Sequence, residues 1–224
     1  MSWSGKWTDK WLGTNWETET HQSGEVTLVS VSNPDLDRVI FLARGCVLTV
    51  PGKFFAETLL VYPNTVGNFP IFGSEYIRMA KGHFGATDFH PLTPENNQIP
   101  PDFDVFPDRM VVKSPHYDLD THFSTKLWHK RGVDNFYNEF SEACSARLSH
   151  YLDVLSTVDR LDSVDTSKFT AFDSYMAVND PARGILKAYF GSDFADEYIR
   201  TFLFPHCGPG SQLRELQTDH AERN

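Results

Sequence analysis

Cysteine is scarce in this chain of 224 residues, and Cys46, Cys144 and Cys207 form no CxxC pair and join no histidine at zinc-like spacing. A disulfide scaffold and a zinc module are thereby excluded, and free thiols fit a reducing cytoplasm. Long apolar runs are also missing, so no stretch reaches the roughly 20 residues that a membrane-spanning helix needs. The polar, tryptophan-bearing start (Trp3, Trp7, Trp11, Trp16) lacks the apolar segment of a signal peptide. Basic side chains are outnumbered: 20 Lys plus Arg against 30 Asp plus Glu leave a net charge of -10, which opposes nonspecific attraction to nucleic acid or anionic membranes. An acidic partner would need a local basic cluster. Four signatures are absent as well: GxGxxG after a strand, GxxxxGK(S/T), HExxH and GxSxG. With them go the usual dinucleotide, P-loop, zinc-protease and nucleophile-elbow chemistries.

What is present is a core. Hydrophobic residues at 40% and aromatics at 14% supply enough large side chains for a globular chain, and the length suits a single domain, residues 1–224, with 1–23 as an N-terminal extension. The four tryptophans recur at four- to five-residue intervals, as on one face of a short helix that packs on the core. Strand-like segments follow at 25–32, 38–50, 55–62, 71–79 and 84–89. They are separated by the turn-forming runs Asn33-Pro34-Asp35, Pro51-Gly52, Pro63-Asn64 and Lys81-Gly82. Connections this short favour hairpins, and hairpins make an antiparallel meander.

Five prolines between residues 91 and 107 mark a long irregular connection. Two more short strands are expected at 110–113 and 122–129, and helices at 133–160, 172–178, 182–190 and 192–204, the last with Ser192 as its N-cap. Strands first and helices later give an α+β fold, a three-layer α/β/α sandwich with a central antiparallel sheet between helices.

Three acidic residues stand in apolar or tightly turned contexts: Glu75, Asp88 and Asp180. A carboxyl taken out of water holds its proton to higher pH and can donate it near neutrality. Each also has a plainer reading: Glu75 as the water-facing member of an alternating strand, Asp88 as a turn former, Asp180 as a helix cap. The histidines His83, His90, His116, His122, His129 and His206 form no i, i+4 pair on an expected helix, so they read as structural and no metal site is expected.

Several separated motifs together resemble the ferredoxin-dependent bilin reductases. They are residues 58–75 (TLLVYPNTVGNFPIFGSE), 87–92 (TDFHPL), 122–124 (HFS), 172–184 (FDSYMAVNDPARG), 189–191 (YFG) and 202–204 (FLF). Their order and composition look most like the phage-type phycoerythrobilin synthase branch, and the resemblance runs from about residue 24 to 207. It implies an α/β/α sandwich that reduces biliverdin IXα or 15,16-dihydrobiliverdin to a phycobilin such as phycoerythrobilin. Single electrons would come from reduced ferredoxin, with no metal or organic cofactor of the enzyme's own.

It further implies that Glu75 stands where the family carries an aspartate facing the pyrrole nitrogens, and that Asp180 matches a second proton-donating aspartate. Thr58 occupies the place of the histidine found in the phycocyanobilin-forming branch, which leaves the two-carboxylate mechanism. Lys113 and Arg183 are candidates for the pigment propionates, joined by His83, Ser124 and by Asn179 beside Asp180. Lys126, Lys130 and Arg131 form the cluster expected to meet acidic ferredoxin. The expectation is a cytoplasmic monomer with no nucleic-acid or membrane partner. Glu75 in place of aspartate keeps two alternatives open: a bilin-binding protein without catalysis, and an enzyme like red chlorophyll catabolite reductase.

Overall fold

Alternating side chains and tight turns in the first half of the chain produce one continuous sheet. In the computed structural model of the chain, the residues described are 16–33, 40–92, 99–110, 113–114, 117–133, 136–159, 161 and 163–208. Seven strands follow one another in spatial order: β1 (Glu17–Ser23), β2 (Val26–Asn33), β3 (Ile40–Val50), β4 (Phe54–Pro63), β5 (Ile71–Met79), β6 (Gly82–His90) and β7 (Trp128–Gly132). Every neighbouring pair is antiparallel. The β1–β2 and β3–β4 hairpins turn on Gly24 and Gly52, whose φ angles of 60° and 68° lie in the left-handed region that glycine enters without a Cβ penalty.

The sheet expectation holds with three corrections. Residues 17–23, read as part of an extension, form the edge strand β1. Segment 110–113 contributes no strand among its described residues, Met110 and Lys113. Segment 122–129 opens instead with a one-turn helix, α1 (Leu119–His122), and pairs only from Trp128 onward. The reason is local: the Asp118 carboxylate accepts from the Asp120 N–H and the Thr121 hydroxyl, capping a turn where a strand was expected. Trp3, Trp7, Trp11 and His116 lie outside the described residues, whereas Trp16 packs against the core.

Helices cover both faces. On one lies α2 (Phe136–Leu155), whose Phe136, Phe140, Cys144, Leu148, Tyr151 and Leu155 repeat at helical spacing and bury against Leu59, Val61, Phe72, Tyr76 and Phe89. On the other lie α3 (Thr170–Asn179), α4 (Ala182–Phe190) and α5 (Ser192–Tyr198), the last continued by a π-helical turn, Ile199–Leu203. Gly191 with φ 90°, rather than Ser192, is the N-cap of α5. Among the described residues, no helix is long and apolar enough to cross a membrane.

Candidate active site

The three short helices do not close completely on the sheet. Between them and β4–β7 remains a cavity of about 440 Å³, a size suited to a ligand much larger than a single ring. Its walls are mostly apolar, among them Phe54, Leu60, Ile77, Phe84, Phe123, Met176 and Ile185.

Of the three carboxyls on the cavity lining, Glu75, Asp88 and Asp180, two face each other's charge from different elements. Glu75 points in from β5, and Asp180 from the break between α3 and α4. Asp180 also caps α4, its Oδ1 accepting from the Ala182 N–H at 2.7 Å, so the cap reading and the site reading are both realised. Burial, reinforced by the neighbouring Asp180 charge, pushes Glu75 up to about 8. Burial raises Asp180 to about 6 against the pull of that N–H. Burial thus pushes both carboxyls toward the protonated form, and the pair retains a proton to higher pH than exposed carboxyls do. Tyr117 stands close enough to feel both charges, and burial followed by those charges raises its hydroxyl well above the usual range.

Thr58 and Lys113 line the cavity, as expected, and so does Arg131. The other candidates are placed elsewhere. His83 is on the opposite side of the sheet, with Nδ1 2.8 Å from the Tyr76 hydroxyl and its ring edge toward Phe136. Ser124 is buried behind the cavity wall and gives both its N–H (2.9 Å) and its hydroxyl (2.5 Å) to Asp88. Asn179 donates to the Tyr175 carbonyl within α3 at 2.8 Å. Arg183 forks onto Asp196 of α5 at 2.7 and 3.1 Å, fixing α4 against α5 rather than entering the cavity.

The basic cluster is divided by strand alternation. His129 and Arg131 face the cavity, while Lys130 projects to the other side and pairs with Glu139 of α2. Lys126 precedes the strand and holds Asp104 and Asp108 at 3.2 and 2.9 Å.

The sequence leaves Asp88 between a buried acid and a turn former and reads His90 as structural, and β6 brings the two together. Both line the cavity from β6, with His90 Nδ1 3.6 Å from Asp88 Oδ2 and 3.1 Å from the His122 carbonyl. Burial raises Asp88 and lowers His90, each opposed by its partner's charge. Their apolar neighbours in residues 87–92 were the available signal, because a strand continuing past Asp88 must bury it.

A model of the family described as ferredoxin-dependent bilin reductase matches residues 58–205, from β4 through the last helical turn. The chain is 24% identical over 166 residues to a 15,16-dihydrobiliverdin:ferredoxin oxidoreductase of Prochlorococcus marinus, covering 66% of this chain and 68% of that protein. To a phycoerythrobilin:ferredoxin oxidoreductase of a Synechococcus strain it is 26% identical over 165 residues, covering 65% and 64%. The fold is that of phytochromobilin synthase from tomato, solved in complex with biliverdin: the TM-score is 0.65 at 14% identity, over 89% of this chain and 79% of that one.

Proposed function

The chain belongs to the ferredoxin-dependent bilin reductase family, and from that premise we propose that it reduces a linear tetrapyrrole, biliverdin IXα or 15,16-dihydrobiliverdin, to a phycobilin such as phycoerythrobilin. The observation that carries this reading is the pair of carboxyls, Glu75 and Asp180, facing one apolar cavity with a proton retained between them.

Reducing one double bond consumes two electrons and two protons. Reduced ferredoxin supplies the electrons singly, and the protein supplies the protons. In the proposed sequence, protonated Glu75 first transfers its proton to the pigment, which makes the conjugated system easier to reduce. The arriving electron then gives a neutral radical. A second electron then arrives, and a second proton, taken up from solvent by the Glu75–Asp180 pair, is passed by Asp180 from its separate loop to the second reduced centre. The low dielectric of the cavity strengthens each charge interaction, and its apolar walls keep water from the radical. Lys113 supplies charge for the propionates, and Arg131, exposed on the cavity lining, supplies charge that meets ferredoxin. Thr58 contacts the pigment without titrating, and Asn179, Arg183 and Ser124 act as positioning residues, through the α3–α4 break, the α4–α5 pair and Asp88. The enzyme is read as a cytoplasmic monomer that carries no cofactor of its own, and three free cysteines support the cytoplasmic part of that reading.

The test is an anaerobic absorbance time course with biliverdin IXα and a ferredoxin-reducing system, followed by chromatography of the pigment. Wild type is expected to shift the spectrum progressively to the blue. Glu75→Gln, which keeps shape and loses the proton, is expected to bind pigment stoichiometrically and fall by about 100-fold or more in turnover. Full activity of Glu75→Gln would remove Glu75 from the mechanism. An unchanged wild-type spectrum with both biliverdin and dihydrobiliverdin would identify a binding protein.

A further inference from the structure

Glu75 needs a fresh proton after each delivery, and a pigment filling the cavity blocks the direct route from solvent. The register of the sheet provides another. Glu19 on β1 lies opposite Ser30 on β2, Ser30 opposite Cys46 on β3, Cys46 opposite Thr58 on β4, and Thr58 opposite Glu75 on β5. Directly opposed residues share a face, with Cβ atoms about 4.5–5.5 Å apart. Of the two adjoining rows on that face, Leu28, Leu48, Ala56 and Ile77 are apolar from β2 to β5, with His21 opposite Leu28 on β1, and the other runs through Ser32, Arg44, Leu60 and Gly73.

Helix α5 lays Tyr198 along the row from Glu19 to Glu75. Its hydroxyl is 2.7 Å from Ser30 Oγ, and the Cys46 thiol lies near enough to that hydroxyl and to the Thr58 side chain for both to act on its titration. Burial pushes the Cys46 thiol up to about 12 and the Tyr198 hydroxyl well above its usual value, so each keeps a proton to pass on. At the outer end Glu19 is exposed at the sheet edge, near enough for its charge to act on Tyr198. At the inner end a side chamber of about 70 Å³ lies against Glu75 and Asp180, bounded by Thr58, Cys46 and Tyr198. A water's share of liquid volume is about 30 Å³, so the chamber has room for about two waters, with Cys46, Thr58, Glu75, Asp180 and Tyr198 as the polar groups on an otherwise apolar wall.

We propose that the row Glu19, Ser30–Tyr198, Cys46 and Thr58, with water in the side chamber, is a proton-resupply path that reloads Glu75 from solvent while pigment occupies the cavity. Each hydroxyl or thiol accepts a proton on its outer side and releases its own on the inner side. The net event is one solvent proton gained by the Glu75 carboxylate, with every intermediate group left as it began. The proposal rests on the bilin-reduction reading, and assigns Tyr198 and Cys46 as positioning residues that act through Glu75.

The test is single-turnover reduction of bound biliverdin by reduced ferredoxin in H2O and D2O, comparing wild type with Tyr198→Phe, Cys46→Ala and Cys46→Ser. Pigment binding and formation of the first radical draw on the proton already held by Glu75, and are expected to match wild type. Decay of that radical is expected to slow by at least about tenfold in Tyr198→Phe and Cys46→Ala, with a larger solvent isotope effect, and to recover in Cys46→Ser, whose hydroxyl relays. Equal decay rates and isotope effects in all four proteins would overturn the relay and leave bilin reduction standing. Slower decay with an unchanged isotope effect and no recovery in Cys46→Ser would assign these residues to packing alone. A wild type that binds pigment but never reduces it would overturn the underlying reading and the relay together. Should Cys46→Ala fail to fold, Tyr198→Phe decides the outcome with Ser30→Ala beside it.

Discussion

At the residue scale, Glu75 illustrates how a site opposes stability. Its folded value of about 8 lies above the ordinary 4.5. Below pH 4.5 native and unfolded chains both hold this proton. Between 4.5 and about 8 the native protein holds a proton that the unfolded chain has released, so stability falls as pH rises, and the loss is complete above the folded value. Asp180 adds a fall of the same sign between 3.8 and about 6. Glu75→Gln has no charge to strip of water, and its melting temperature is expected to exceed that of wild type by a margin that widens from pH 5 to pH 8. Calorimetry at several pH values checks this, and a margin that narrows over the range would contradict a raised Glu75. Turnover is expected to decline above about pH 8, where Glu75 gives up its proton to water.

At the scale of elements, the cavity floor depends on a close approach of β5 and β6. Gly73 lies opposite Asp88, and a Cβ at Gly73 would sit 2.5 Å from His90 Nε2. The His90 ring has little room to move, because Phe172 and Phe123 stand at 4.7 and 5.0 Å between centroids and its Nδ1 is 3.1 Å from the His122 carbonyl. Gly73→Ala is therefore expected to lose about 1–3 kcal/mol in chemical denaturation and to weaken pigment binding, since relief requires His90 to swing into the cavity. Unchanged stability would show that His90 can be displaced without loss. The one-turn helix α1 and the Ser124–Asp88 bonds tie the chain before β7 to β6, and this is why strand pairing there begins only at Trp128.

For the whole molecule, a net charge of -10 must be reconciled with an acidic electron donor. Of the three cations first grouped as a docking patch, Lys126 is offset by two aspartates and Lys130 by Glu139, while Arg131 lines the cavity from β7. Arg131→Glu is expected to raise the ferredoxin concentration needed for half-maximal rate by about tenfold at low salt, with the difference shrinking as ionic strength rises. Lys130→Ala should change it far less. Steady-state titration with ferredoxin at two salt concentrations separates the two, and an equal effect of both variants would restore the original patch.

Local order in the sequence was enough for the meander and the helices that follow it, because period-two alternation and turn residues are properties of neighbouring residues, but it offered Glu75 and Asp180 only as two of three acidic candidates. The family motifs added what such a site would be for. Facing was not legible, because it depends on register. His83 reads as a pigment ligand and Arg131 as part of a docking cluster until the hairpin at Gly82 pairs Glu75 with Ala86 and Ala86 with His129. That register puts odd-numbered β6 residues such as His83 under α2, and brings Arg131 to the cavity. Only tertiary packing could set Arg183 against Asp196, bury Asp88 on Ser124, and align Glu19, Ser30, Cys46, Thr58 and Glu75 across five strands. These residues are far apart in the chain, and opposition across a sheet is fixed by how strands slide into register, not by any spacing written along one of them.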